Sequence, residues 1–216
     1  QANLLSDRPQ IIEQILEHSN DTSEQCQLLE LGTELALERG HPKEALGYEM
    51  RRIELEATEF GTPVGLDTAV ELAGQTRMTE ELLACLKASN EALAEQSDKL
   101  LYRRTAARLV GDTYDTPGEA IALWRGLLEE VPNDGESLDA LEKLYRLARD
   151  WEGLEDVLRS RCTLSEGPER LRILQQLATL YEDTLENTAL ALEVLREAEL
   201  LDSDDLEIRA AIRRIL

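Results

Sequence analysis

The chain is poor in aromatic side chains, histidine and cysteine, and it contains no long apolar run. Its 216 residues include one Phe, two Trp and five Tyr, too few rings for the interior of an aromatic-rich sandwich or barrel. No stretch approaches the roughly 20 apolar residues that cross a bilayer as a helix, so direct membrane insertion is not expected. Cys26, Cys85 and Cys162 are odd in number and far apart, which fits neither a disulfide framework nor a metal-ligand spacing. They read as small core residues. Only His18 and His41 could serve as bases at neutral pH, and both fall at the ends of predicted helices, where a surface role is expected.

Chemistry-bearing motifs are also missing. The sequence has no glycine-rich phosphate loop, His-Glu-x-x-His, Cys-x-x-Cys or Gly-x-Ser-x-Gly, so the common nucleotide, metal and nucleophile signatures are absent. No catalytic residue, metal ligand or cofactor is assigned, and the chain is read as a non-enzyme. Asp202-Ser203-Asp204-Asp205 lacks the glycine and distal glutamate of a calcium loop and reads as an inter-helix turn with N-capping acids. Asn20-Asp21-Thr22 matches a glycosylation sequon, a pattern short enough to arise by chance. Positive charge is scarce as well: 23 basic residues face 45 acidic ones, for a net charge of −22. Such a surface repels a phosphate backbone, so nucleic acid is not an expected partner. Arginine outnumbers lysine 19 to 4, a bias associated with GC-rich bacterial coding. The start, Gln1-Ala2-Asn3-Leu4, shows no basic stretch followed by an apolar run, and a cytoplasmic location is the expectation.

What the chain does have is a ladder of apolar pairs, each spaced four residues. The pairs are Ile12/Leu16, Leu46/Met50, Leu82/Leu86, Ala120/Trp124, Leu154/Leu158 and Ala191/Leu195, so their first members recur at 34, 36, 38, 34 and 37 residues. A period in this range marks a helical-hairpin solenoid, in which a pair of short helices buries its apolar face only by stacking on neighbours. The pairs fall in second helices starting near 9, 42, 79, 117, 151 and 187. First helices are predicted at about 23–39, 64–76, 98–113, 135–149 and 168–184 from apolar steps of three and four. Period-two alternation is lacking, and no strands are expected.

Helix boundaries follow from proline and capping chemistry. Pro9, Pro42, Pro63, Pro117 and Pro168 open helices, where a missing amide proton costs least. Thr116-Pro117-Gly118-Glu119 has the capping-box pattern, and Thr79, Asp150 and Asn187 are N-cap candidates. The whole of 1–216 reads as one continuous helical-repeat domain of about twelve helices. At its ends, Pro9–Ser19 lacks a first helix, and 205–216 lacks a partner for Ile208, Ile212 and Ile215. The expectation is a piece of a longer array; the alternative is that the end helices pack against another chain, including end-to-end homo-oligomers.

The segment Ala120 to Pro132 resembles the second helix of a tetratricopeptide repeat, with alanine, a large aromatic, a small or apolar residue and a closing proline in order. Ala191, Leu195 and Ala198 repeat the first three positions. Ala107 with Val110 and Ala178 with Tyr181 resemble the first-helix pattern. Ser89 and Arg161 depart from it, at positions usually apolar. The resemblance implies a right-handed superhelix whose first helices line a concave groove that holds peptides, helices or whole protein partners.

One constellation interrupts the acidic chain: Lys99, Arg103, Arg104 and Arg108 on a single first helix, with shared faces at spacings of four. In the repeat register fixed by Ala107, Arg104 and Arg108 fall on positions that the resemblance places on the groove wall, with Arg146 and Arg149 at similar positions one repeat later and Arg172 in the next. Such arginines either clamp a carboxylate or phosphate of a partner or pair with Asp139, Glu142, Glu182 and other acids of the same wall. Trp124 reads as a packing residue; Trp151, opening a second helix, reads as packing or as a ligand platform. The function read from these features is a scaffold that binds a protein or peptide partner through its first-helix surface. The alternative is an accessory segment of a larger protein whose catalytic domain lies elsewhere.

Overall fold

The computed structural model describes residues 8–60, 65–113 and 117–216. Among these there are twelve α-helices and no strand. The chain groups into two compact units, Gln1–Asp115 and Thr116–Leu216. The first contains α1 (Arg8–His18), α2 (Thr22–Glu38), α3 (Pro42–Glu59), α4 (Leu66–Thr76), α5 (Thr79–Ala92) and α6 (Gln96–Thr113). The second contains α7 (Pro117–Glu130), α8 (Gly135–Ala148), α9 (Trp151–Leu164), α10 (Gly167–Thr179), α11 (Thr188–Leu201) and α12 (Leu206–Ile215). A single π-helical turn, Leu180–Thr184, extends α10.

Each unit is a stack of antiparallel hairpins. Consecutive helices pack on each other, and the fully described connections of two to four residues leave no path but a reversal. In the first unit α3 also packs on α5, and α4 on α6, so helices of like type stack. Eleven of the twelve residues of the apolar ladder are buried, with Met50 half-buried. Each large member removes enough apolar surface from water to stabilise the stack by about 2 kcal/mol. Trp124, 2% exposed, is a core residue.

The helix starts show which local rules win. Asp150 caps α9 by accepting from Gly153 N at 3.0 Å, and Asn187 caps α11 by accepting from Leu190 N at 3.1 Å. Asp21, Asp134 and Asp205 cap α2, α8 and α12 in the same way. Thr79 is not a cap: it is the first helical residue of α5, and Met78 precedes it with no side-chain cap. The reason is the tight reversal at Arg77 (φ 59°), after which Met78 N–H bonds Ala73 O at 3.1 Å and Met78 O receives Leu82 N–H at 3.2 Å. Pro63 and Thr116 lie outside the described residues.

The C-terminal helix corrects a second expectation. Ile208 and Ile212 are buried in the packing of α12 on α11, and Ile215 is half-buried. The turn capped by Asp205 sets the phase of α12 so that this stripe meets the preceding helix rather than solvent. The large apolar side chains exposed at this end are Leu200, Leu201, Leu206 and Leu216. No described helix is long and apolar enough to cross a membrane.

The first unit also buries charge. Glu49, Arg52 and Glu56 lie at i, i+3 and i+7 on α3, all more than nine-tenths buried. Arg52 Nε donates to Glu56 Oε1 at 3.1 Å, while its Nη1 is 3.5 Å from Glu49 Oε1 and 3.9 Å from Glu30 of α2. The second Glu49 oxygen points at Gly65, just before α4, where a Cβ would sit 2.0 Å away. A side chain at Gly65 would therefore push the Glu49 carboxylate out of its place. Burial holds the Glu49 carboxyl above the usual carboxylate range; Arg52 and Thr33 pull it down, and Glu56 and Glu30 push it up.

That shift has a definite sign. When the folded state holds its proton more tightly than the unfolded state, stability is fully present below the ordinary carboxylate range and falls as pH rises through the raised value. Glu49→Gln removes the titrating group and keeps the shape. We expect its melting midpoint at neutral pH to exceed the parent's by about 2–5 °C, with the gap closing as the solution is acidified. A gap that widens on acidification would contradict the assignment.

Candidate functional site

Two of the five candidate arginines meet in the second unit. An open cleft of about 520 Å³ is lined by Arg146 of α8, Trp151, Leu154 and Leu158 of α9, Arg172, Gln175, Gln176 and Thr179 of α10, and Leu180, Asp183 and Thr184 of the π turn. Leu154, Leu158 and Leu180 form its apolar floor and are buried; Trp151 is half-buried at its edge. Arg149 is exposed at the adjoining turn and does not line the cleft. Arg104 and Arg108 belong to the first unit, on α6, with Arg104 half-buried and Arg108 exposed.

Local sequence explains the cleft's shape. Arg149 adopts a left-handed conformation (φ 56°), and Asp150 N–H returns to Tyr145 O at 3.0 Å. This closes α8 and reverses the chain in two residues, so that Trp151 opens α9. α8 and α9 come so close that a Cβ on Gly153 would lie 2.6 Å from the Tyr145 ring. On the other wall, Tyr181 anchors the π turn. Its hydroxyl donates to Glu155 Oε1 at 2.7 Å, and the Arg159 guanidinium lies 5.6 Å from its ring centroid. Burial and the bond to Glu155 push the Tyr181 hydroxyl up to about 12. π turns of this kind are rare and recur at functional sites; here the turn places Asp183 and Thr184 on the cleft wall.

Both arginine heads are held by carboxylates. Arg146 pairs with Glu142 at 2.5 Å, and Arg172 grips Glu169 through Nε at 3.1 Å and Nη2 at 2.7 Å. Arg161 of α9 joins the same network, bonding Glu142, pairing with Asp139 at 2.9 Å and reaching Glu169 at 3.4 Å. The hydrogen bonds of Arg172, with the nearby charge of Arg161, hold the Glu169 carboxyl below its usual range. Of the acids named in the sequence, Glu142 and Asp139 pair within this network, while Glu182 pairs with Arg214 of α12 at 2.6 Å. Arg161 is the residue that sequence reasoning left without a role. Its signal was an arginine at a register position usually apolar, and the structure shows it pinning α8, α9 and α10 together. Asp202 and Asp205 spend their carboxylates on backbone amides of the turn and of α12.

No protein-family model matches the chain, and no curated protein matches it. Among solved structures it is similar to MamA 41-end from Desulfovibrio magneticus RS-1, at 15% identity and a TM-score of 0.47, covering 83% of this chain and 97% of that one. A MamA RS-1 ArsTM double mutant gives 16% identity, a TM-score of 0.46, and coverage of 83% and 97%. An assembly chaperone of RpL4 (Acl4, residues 1–338) gives 16% identity, a TM-score of 0.37, and coverage of 96% and 88%. At these values the fold description rests on the chain's own helices and their packing.

The left-handed Arg149 offers a direct check on the turn. A non-glycine residue there costs about 1 kcal/mol relative to glycine. Arg149→Gly is therefore expected to raise the urea midpoint, by about 0.5–1 kcal/mol of stability. A lower midpoint would mean that the Arg149 side chain contributes more than its backbone costs.

Proposed function

We propose that the protein is a non-enzymatic interaction scaffold of tetratricopeptide type, and that the cleft of the second unit receives an extended segment of a protein partner. One observation carries this reading. The cleft combines a half-buried indole, an apolar floor, two guanidinium groups and two side-chain amides, and it is open along its length. Its lining includes no histidine or cysteine, and the Thr179 hydroxyl donates to Gln175 O at 3.0 Å. Such a site binds by shape, stacking and paired hydrogen bonds.

Arg146 and Arg172 would meet a carboxylate of the segment, with an apolar neighbour resting on Trp151 and Leu158. Their pairs with Glu142 and Glu169 hold the guanidinium planes in place before binding. The Arg172–Glu169 pair is exposed on both sides and worth little on its own, so sharing Arg172 with an incoming carboxylate costs little, while the buried Glu142 keeps Arg161 as a second partner. Arg104 and Arg108 on α6 would serve the same purpose on the first-helix surface of the first unit, with Arg149 beside the cleft as a further contact.

A random peptide library displayed on phage and selected on the immobilised protein tests this. Enriched peptides should carry an acidic residue next to an apolar one. By fluorescence polarisation, R146E/R172E with an unchanged melting midpoint should bind them at least ~10-fold more weakly. Selected peptides that bind parent and double variant equally, or a selection that enriches nothing, would contradict the reading.

A further inference from the structure

The opposite flank of α9 carries a second cavity of opposite charge. It measures about 430 Å³ and lies between α7, α8 and α9. Its floor is apolar, built from buried Leu138, Leu141, Tyr145 and Val157. Its rim carries four exposed carboxylates, Glu129, Asp150, Glu152 and Asp156, against one cation, Arg125. We propose that this groove docks a basic segment of a protein partner, with lysine or arginine heads on the rim and their aliphatic stems on the floor.

Pairing separates the two flanks. In the cleft described above, both arginines are held by acids of the same unit. Here Glu129, Glu152 and Asp156 form no ion pair with any described residue. Arg125 is one cation against four carboxylates, so it offsets only part of the rim's charge. Asp150 uses one oxygen on Gly153 N–H as the cap of α9 and keeps the other. The rim is thus left with uncompensated negative charge over an apolar floor, the complement of a basic side chain that lays its stem on apolar surface while its head stays polar. Gly153 contributes by its size, since a side chain there would collide with Tyr145.

Charge also selects the class of occupant. With a net charge of −22, the chain repels a second copy of itself, a phosphate backbone and an anionic lipid surface, while it steers a basic segment toward the groove. Among the described residues no group of acids, histidines or cysteines is arranged to hold a metal ion. This surface is independent of the cleft holding Arg146 and Arg172.

The test uses a fluorescein-labelled peptide, Arg-Leu-Lys-Leu-Arg with blocked ends, at near-physiological salt. The rim is neutralised by E129Q/E152Q/D156N, which leaves the Asp150 cap intact. A control triple, E166Q/E193Q/E207Q, removes the same charge from exposed positions that do not line the groove. Binding to the parent should weaken at least ~10-fold in the rim triple and less than ~2-fold in the control triple, while R146E/R172E leaves it no weaker. No binding to the parent, or equal losses in both triples, would overturn the proposal. The R146E/R172E arm keeps this outcome separate from that of the other cleft.

Discussion

A hairpin of two short helices cannot cover its own apolar stripe, and this constraint governs the molecule. Each apolar pair, from Ile12/Leu16 to Ala191/Leu195, must be roofed by a neighbouring helix, and in both units it is: the pairs are buried almost throughout. The connections must then be short and the helix contacts close. Gly153 against the Tyr145 ring is where that closeness leaves no room for a side chain, and at Gly65 a side chain would displace the Glu49 carboxylate. The two clefts of the second unit follow from the same geometry. Because α9 is wedged between neighbours along its buried stripe, its two remaining flanks open on opposite grooves, one edged by Trp151 and the other by Asp156.

Charge is arranged on this frame in two ways. Where helices meet closely, acids and arginines neutralise one another, as in the buried Glu49, Arg52 and Glu56 of α3 and in the Arg161 network of α8, α9 and α10. A buried pair of this kind gains little net stability after desolvation; the costly change is loss of Arg52, which would leave Glu49 and Glu56 buried without a cation. Such clusters therefore fix register more than they add stability. On open surface the acids prevail, and the chain's net charge resides there. A stack of hairpins built this way has a mostly negative exterior, with two guanidinium groups lining one cleft.

The helical character was legible because it rests on local physics. Proline at Pro42 and Pro168, the caps Asp150 and Asn187, and apolar steps of three and four each report on the chain within one or two turns. The misreadings came from tertiary context. Thr79 has capping chemistry, but the left-handed Arg77 before it closes α4 so tightly that α5 starts at Thr79 itself. Ile208 and Ile212 looked unpartnered because nothing local tells which way a terminal helix turns. The candidate arginines were found by type and register, but sequence spacing does not say that Arg146 and Arg172 share a cleft while Arg149 spends its backbone on a turn. Glu49, Arg52 and Glu56 went unnoticed although they share one face with Ala45, Ile53 and Ala57; charged residues of both signs at i, i+3 and i+7 within an apolar stripe were the available signal. Arg161 gave a comparable one.

The central claim is that a partner segment docks along the cleft formed by α8, α9, α10 and the π turn. Hydrogen–deuterium exchange of the protein alone and saturated with a peptide selected on it measures this directly. The account predicts slowed exchange concentrated between residues 146 and 184, strongest around the π turn at Leu180–Thr184. Protection confined to α1–α5, with residues 146–184 unchanged, would contradict it.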